Sequence, residues 1–161
     1  MRAFRIVSIL LIGVAVALSK PWSLPNSLGD AICAGNVPST LAHVHRGSNV
    51  NASITWETHS GNFSTTPLLL ALDHVTCSKF FPRIWVRFLV WRGADVNLPN
   101  SGGYTPLMMA AGQSDIAAVA LLLSMGASVA PRDQSGKSAL DIARELDNER
   151  SVALLENAHP R

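Results

Sequence analysis

Slid against itself by 33 residues, the last third of the chain lines up: Gly103 falls on Gly136, Thr105 on Ser138, Leu107 on Leu140 and Ala110 on Ala143. Val119 meets Val152, and Leu121 and Leu122 meet Leu154 and Leu155. One unit earlier, Gly93-Ala94-Asp95-Val96 meets Gly126-Ala127-Ser128-Val129 at the same offset. A period shared by glycines, turn residues and leucines is the mark of a repeat architecture. Each unit of such an array leaves an apolar face that only a stacked neighbour can bury.

Within one period the residue types assign their own roles. Thr105 before Pro106 reads as a helix N-cap with proline at the first helical position, where the missing N–H costs nothing. Leu107, Ala110 and Ala111 follow on a first helix whose small residues allow close approach. Ser114-Asp115 then starts a second helix, with Ile116, Val119, Leu122 and Leu123 at helical spacing. Gly126 falls where a helix ends in the left-handed conformation. The string from Gly103 to Ala111, continued by Leu121 to Ala127, closely resembles the ankyrin repeat. The resemblance implies an all-α solenoid of stacked helix-turn-helix units joined by β-hairpin-like finger loops.

Four units can be drawn, at about 27–51, 61–97, 100–132 and 133–158. The first is abbreviated and lacks the Thr-Pro start. The second carries Thr66-Pro67 and Gly93-Ala94-Asp95-Val96-Asn97, and the third is the most regular. The fourth replaces Thr-Pro by Ser138-Ala139 and puts Asp141, Arg144, Glu145 and Glu149 on its helices, as suits a terminal cap.

Two insertions break the period around the second unit. Asn51 to Thr66 spans 15 positions against 8 for Asn97 to Thr105, so that finger carries 7 extra residues, among them Trp56, Glu57, His59 and Phe63. Ala71 to Phe88 spans 17 against 11 for Ala110 to Leu121, placing 6 more residues between the helices, around Cys77, Lys79, Phe80, Phe81 and Pro82. Loops inserted into repeats often bind, and aromatics beside arginine are enriched in interface hot spots. The competing expectation is that they fold back over the core, favoured for Phe81 and Trp85 and evenly balanced for Trp56, Phe63 and Phe80.

The chain opens with Arg2 and Arg5, an uncharged run from Ile6 to Leu18, and small residues before Lys20. This order describes a secretory signal peptide over residues 1–19, followed by a linker at 20–26 and the array from 27 to 161. The run is shorter than the roughly 20 residues that cross a bilayer, which favours cleavage over an anchor. The expected destination is the periplasm or the exterior. Without Arg2 and Arg5 the 13 Lys plus Arg become 11, against 11 Asp plus Glu. A near-neutral chain offers no broad positive field for nucleic acid, and after cleavage none of its segments is expected in a membrane. Lys79, Arg83, Arg87 and Arg92 form a local basic stretch. It reads first as a solvated flank and secondly as a contact for an acidic partner.

Cys33 and Cys77 are the only cysteines, set in adjacent units, so a disulfide between them and two unpaired thiols are both open. Neither His43 with His45, nor His59 with Glu57, nor His74 with Cys77 completes a metal shell. Catalytic and phosphate-binding motifs are lacking, so neither enzyme activity, a metal nor a cofactor is expected. Asn51-Ala52-Ser53 and Asn62-Phe63-Ser64 match the glycosylation acceptor pattern, which matters in a eukaryotic secretory pathway.

By repeat position, the ankyrin resemblance implies a concave surface that grips a protein partner. It would include Asn62, Phe63, Thr65, Asp73 and His74 in unit two, and Ser101, Tyr104, Gly112 and Gln113 in unit three. In unit four it would include Gln134, Ser135, Lys137 and Glu145. The function expected is an exported binding module, such as an inhibitor, escort or immunity partner of an exported enzyme or toxin. A host-directed effector with the same kind of surface is the alternative.

Overall fold

Helix pairs recur along the chain in the computed structural model, which describes residues 27–58, 61–73 and 82–158. Unit one contributes α1 (Leu28–Cys33) and α2 (Val37–His45), and unit two α3 (Pro67–Leu72) and α4 (Pro82–Trp91). Unit three contributes α5 (Pro106–Gly112) and α6 (Ile116–Ser124), and unit four α7 (Ala139–Glu145) and α8 (Glu149–Ala158). Between units one and two, β1 (Ile54–Thr58) and β2 (Gly61–Thr65) form an antiparallel hairpin with Trp56 opposite Phe63. The expected leader and linker, and with them His59, His74, Cys77, Lys79, Phe80 and Phe81, lie outside the described residues.

Each first helix is started by a side-chain cap. Thr66, Thr105 and Ser138 hydroxyls accept from the backbone N–H groups of Leu69, Met108 and Asp141, and Ser27 does the same for Asp30. The four N–H groups at a helix start lack helical partners, so each cap satisfies one of them. Pro67 and Pro106 occupy the first helical positions as expected. Asn36 and Asp115 cap α2 and α6 in the same way, and Gly126 has φ +87°.

The first helices stack in the order α1, α3, α5, α7, each also packed on its own second helix. Their contact faces are wholly buried: Leu68 to Leu72 in α3, Leu107, Met108, Ala110 and Ala111 in α5, Ala139, Ile142 and Ala143 in α7. Val86, Leu89, Val119, Leu122 and Leu155 close the core from the second layer. Burying each such side chain contributes about 1.5–3 kcal/mol. Trp85 is 4% exposed and joins this core, meeting Phe88 edge-on with ring centroids 6.0 Å apart. Of the inserted segment's aromatics, Trp85 therefore covers the core, as the folding-back expectation had it.

Neighbouring units are also clamped by asparagine. Asn51 at the end of unit one donates from Nδ2 to the Gly93 carbonyl at 2.9 Å and accepts from the Asp95 N–H at 2.8 Å. Asn97, at the matching position of unit two, donates to Gly126 O at 3.4 Å and accepts from Ser128 N at 2.8 Å. The Asn51 amide, half of a glycosylation acceptor pattern, is thus engaged in holding two units together.

Candidate protein-binding surface

The fingers between units are built alike. Asn100 Oδ1 accepts from the N–H groups of Gly102 and Tyr104, and Asp133 Oδ1 accepts from those of Ser135 and Lys137. In each, a backbone bond closes the turn, from Gly103 N to Asn100 O and from Gly136 N to Asp133 O. Gly103 has φ +78°, and a Cβ on it would lie 3.2 Å from the Cα of Asp133 in the next finger. Glycine is required there twice, for its dihedral and for the approach of the neighbouring backbone.

Hydrogen bonds stitch the fingers into a strip. Ser101 N donates to Ser64 O at 2.9 Å, and Ser64 N donates to Ser101 Oγ at 3.1 Å. Further along, Gln134 N donates to Gly102 O at 3.0 Å and Gln134 Nε2 to Ser101 O at 2.8 Å. The hairpin of unit two, the finger of unit three and the finger of unit four are held in one register.

Behind the strip, at the junction of units three and four, Tyr104 lies across the end of α5. Its hydroxyl is 2.6 Å from where a Cβ of residue 112 would sit, so Gly112 makes room for the ring. Burial pushes the Tyr104 hydroxyl above its ordinary pKa, the Asp133 carboxylate adds to the rise and Lys137 opposes it. Lys137 Nζ pairs with Glu145 Oε2 at 2.7 Å, and this bond and charge raise the Lys137 pKa. The Gln113 amide donates to the Met109 thioether at 3.3 Å.

The Asp141 carboxylate accepts from the Ser138 N–H at 2.9 Å and its hydroxyl at 2.7 Å, and pairs with Arg132 at 3.0 Å. The Ser138 bonds, with Arg132 behind them, hold the Asp141 pKa below the usual carboxylate range. Arg132 also donates to Gly136 O at 2.7 Å, locking the fourth finger to its helix.

The residues singled out from the sequence fall into distinct groups. Ser101 and Gln134 lie in the stitched strip, with Ser135 exposed beside them. Tyr104 and Gly112 meet, and Lys137 and Glu145 meet. Asn62 and Phe63 are exposed on β2, Phe63 by 40%. Asp73 is half-buried at the end of α3. Thr65, in contrast, is 5% exposed and paired with Ile54 where the hairpin enters the core. Ser64, Asn100, Asp133 and Arg132, which lie outside the positions implied by the resemblance, also shape the strip. Asn100 and Asp133 stand 33 residues apart, so the period itself carried their signal.

Among the described residues, no three His, Cys, Asp or Glu side chains gather in a way that could hold a metal ion. None of the described helices is long and apolar enough to cross a membrane. Cys33, at the end of α1, is disulfide-bonded.

Comparison with known proteins agrees with this geometry. A BTB/POZ domain and ankyrin repeat-containing protein, NPR3, of rice (Oryza sativa subsp. japonica) is 38% identical over 77 residues, 48% of this chain and 13% of that protein. A BTB/POZ domain and ankyrin repeat-containing protein, NPR1, of Malus hupehensis is 36% identical over 73 residues, 45% of this chain and 12% of that protein. The chain thus spans about an eighth of the length of these relatives. A family model described as ankyrin repeats in three copies matches residues 74–160, more than half of the chain. With stacked helix pairs, capped first helices and repeated fingers, the chain belongs to the ankyrin-repeat family and is a protein–protein interaction module.

Proposed function

We propose that this module works after export, gripping one partner protein through the strip of fingers and the exposed parts of the first helices. The observation that carries the reading is the stitching of the fingers through Ser64, Ser101 and Gln134. A strip fixed before contact loses little conformational freedom on binding, and preorganisation of this kind is a main source of affinity. Phe63 at one end and the Tyr104 ring behind the strip, at the junction of units three and four, supply aromatic surface of the type that dominates interfaces. Export rests on Arg2, Arg5 and the uncharged run from Ile6 to Leu18. In that compartment, an inhibitor, escort or immunity partner of an exported enzyme or toxin is the role that suits a binding array. Pairing of Cys33 with Cys77, the other cysteine of the chain, would tie unit one to unit two there.

The test is an affinity pull-down from the exported fraction with protein beginning at Lys20, alongside the mass of the protein recovered from that fraction. One stoichiometric partner, lost on Phe63→Ala and Ser135→Arg without a change in melting, supports the reading. Retention of that partner by both variants would move binding off the strip, and a mass that still includes Met1 to Ser19 would refute cleavage.

A further inference from the structure

The second helices of a repeat array form its outer layer, where a solvated face should carry mixed charges. Helix α8 meets that expectation, with Glu149, Arg150 and Glu156 exposed. Helices α2, α4 and α6 do not. Helix α6 has no charged residue, and its exposed positions are Ala117, Ala120 and Ser124. A helix apolar on all sides is ordinarily covered.

Helix α4 sits beside it in sequence order of units and is more pronounced. Ile84 is 61% exposed and Trp91 76% exposed, at i and i+7 on one stripe, with Arg83 and Arg87 exposed next to them. Trp91 is not loosely placed: Phe88 lies 6.3 Å away, and the Arg92 guanidinium is 5.8 Å from its ring centroid. Arg92 also donates to Val44 O at 3.4 Å, linking the stripe to α2. None of α2, α4 and α6 contains an aspartate or glutamate. Asp115, at the start of α6, has a carboxylate oxygen taken by the Ala118 N–H. Among the described residues, the ion pairs join Arg132, Lys137 and Arg144 to carboxylates of unit four, and none reaches Arg83, Arg87 or Arg92.

We infer that this outer layer, centred on Ile84, Arg87 and Trp91, is a second docking surface for an amphipathic, carboxylate-rich segment of a partner protein. Arg83 and Arg87 supply charge that no carboxylate among the described residues pairs with, and a carboxylate is the group that a guanidinium fork binds in two-point geometry. The exposed isoleucine and tryptophan accept apolar side chains at helical spacing. Tryptophan and arginine are also the residue types that concentrate binding energy at interfaces. This surface is distinct from the finger strip, so the array would hold one protein on each side.

The test uses the full array and two synthetic peptides, one helical with a leucine stripe flanked by glutamates and one with lysines in their place. Fluorescence of Trp91, assigned by Trp91→Phe, is followed together with its quenching by acrylamide. The glutamate peptide should shift the emission to the blue and shield the indole, more weakly as salt rises. Arg83→Glu with Arg87→Glu should weaken it by about tenfold or more, with melting unchanged and with Ser135→Arg having no effect. Equal binding of both peptides, or of neither, overturns the inference. So does the same shift on phosphatidylserine vesicles without the peptide, which would assign the face to a lipid surface. Concentration-dependent self-association lost in the arginine variants overturns it too, in favour of a second copy against α8.

Discussion

Replacing Asn51 by alanine removes both ends of one inter-unit clamp while deleting no apolar contact. The loss is the 2.9 Å bond to Gly93 O and the 2.8 Å bond from Asp95 N. Each hydrogen bond contributes about 0.5–1.5 kcal/mol net, and water can reach this partly exposed site, so the pair is worth about 1.5 kcal/mol. Asn97→Ala removes one bond of 2.8 Å and one of only 3.4 Å, and should cost about 1 kcal/mol or less. For an array of this size, the Asn51 variant should melt on the order of 5 °C lower. In a solenoid the loss falls on one interface. Hydrogen exchange should therefore rise first in α1 and α2 for Asn51→Ala, and across the junction of units two and three for Asn97→Ala. Thermal melting followed by circular dichroism, with exchange read by mass spectrometry, checks both parts. A melting point within 1 °C or so of the parent for Asn51→Ala, with unit one still protected, would refute the clamp as a source of coupling.

Two further perturbations probe the fingers and the last unit. Gly103→Ala forces a side chain into φ +78° and against the Asp133 backbone at 3.2 Å. It should destabilise by at least about 1–2 kcal/mol, whereas alanine at Gly126, where the added Cβ meets nothing within 4 Å, should cost less; equal losses in denaturant titrations would remove the finger-to-finger contact from the account. Asp141 has its folded-state pKa depressed by Ser138 and Arg132, so its contribution is complete above the ordinary aspartate pKa near 3.9 and is lost as pH falls through the depressed value. Asp141→Asn should therefore lower stability at neutral pH and flatten its acid limb, and parallel pH profiles for the two proteins would contradict this.

The recurring helix pairs are legible in the sequence because their signals are local. Thr105-Pro106, Ser138, Gly126 and the leucines of α6 each act within a few residues of themselves, and each sits where the period put it. The hairpin was legible only as a finger with extra residues, since the pairing of Trp56 with Phe63 depends on register between two strands. Repeat position alone places Thr65 on the binding face, whereas its side chain is buried, as are those of Thr66 and Pro67. Ser64, Ser101 and Gln134 could not be linked from sequence because their bonds cross between units, 33 and 37 residues apart. Tyr104 with Gly112 is intermediate. An aromatic and a glycine eight residues apart carry no obvious relation until the first helix is turned beneath the ring.

What the strip offers a partner follows from which groups it has already used. Ser101 and Gln134 are hydrogen-bonded across fingers, Asp133 accepts two backbone amides, and Lys137 and Glu145 satisfy each other. A partner recruiting any of these must break an internal bond for the one it gains, so the net return is small. Their contribution is to hold the backbone still. On the proposed reading, recognition rests on the exposed Ser135 tip and on the aromatic faces of Phe63 and Tyr104, where the area removed from water adds directly. The proposed binding through this strip should therefore depend on shape more than on charge. Its electrostatic counterpart is the outer layer, where Arg83 and Arg87 pair with no carboxylate among the described residues. The two faces should differ accordingly in salt response, the strip nearly indifferent to ionic strength and the arginine face weakened by it.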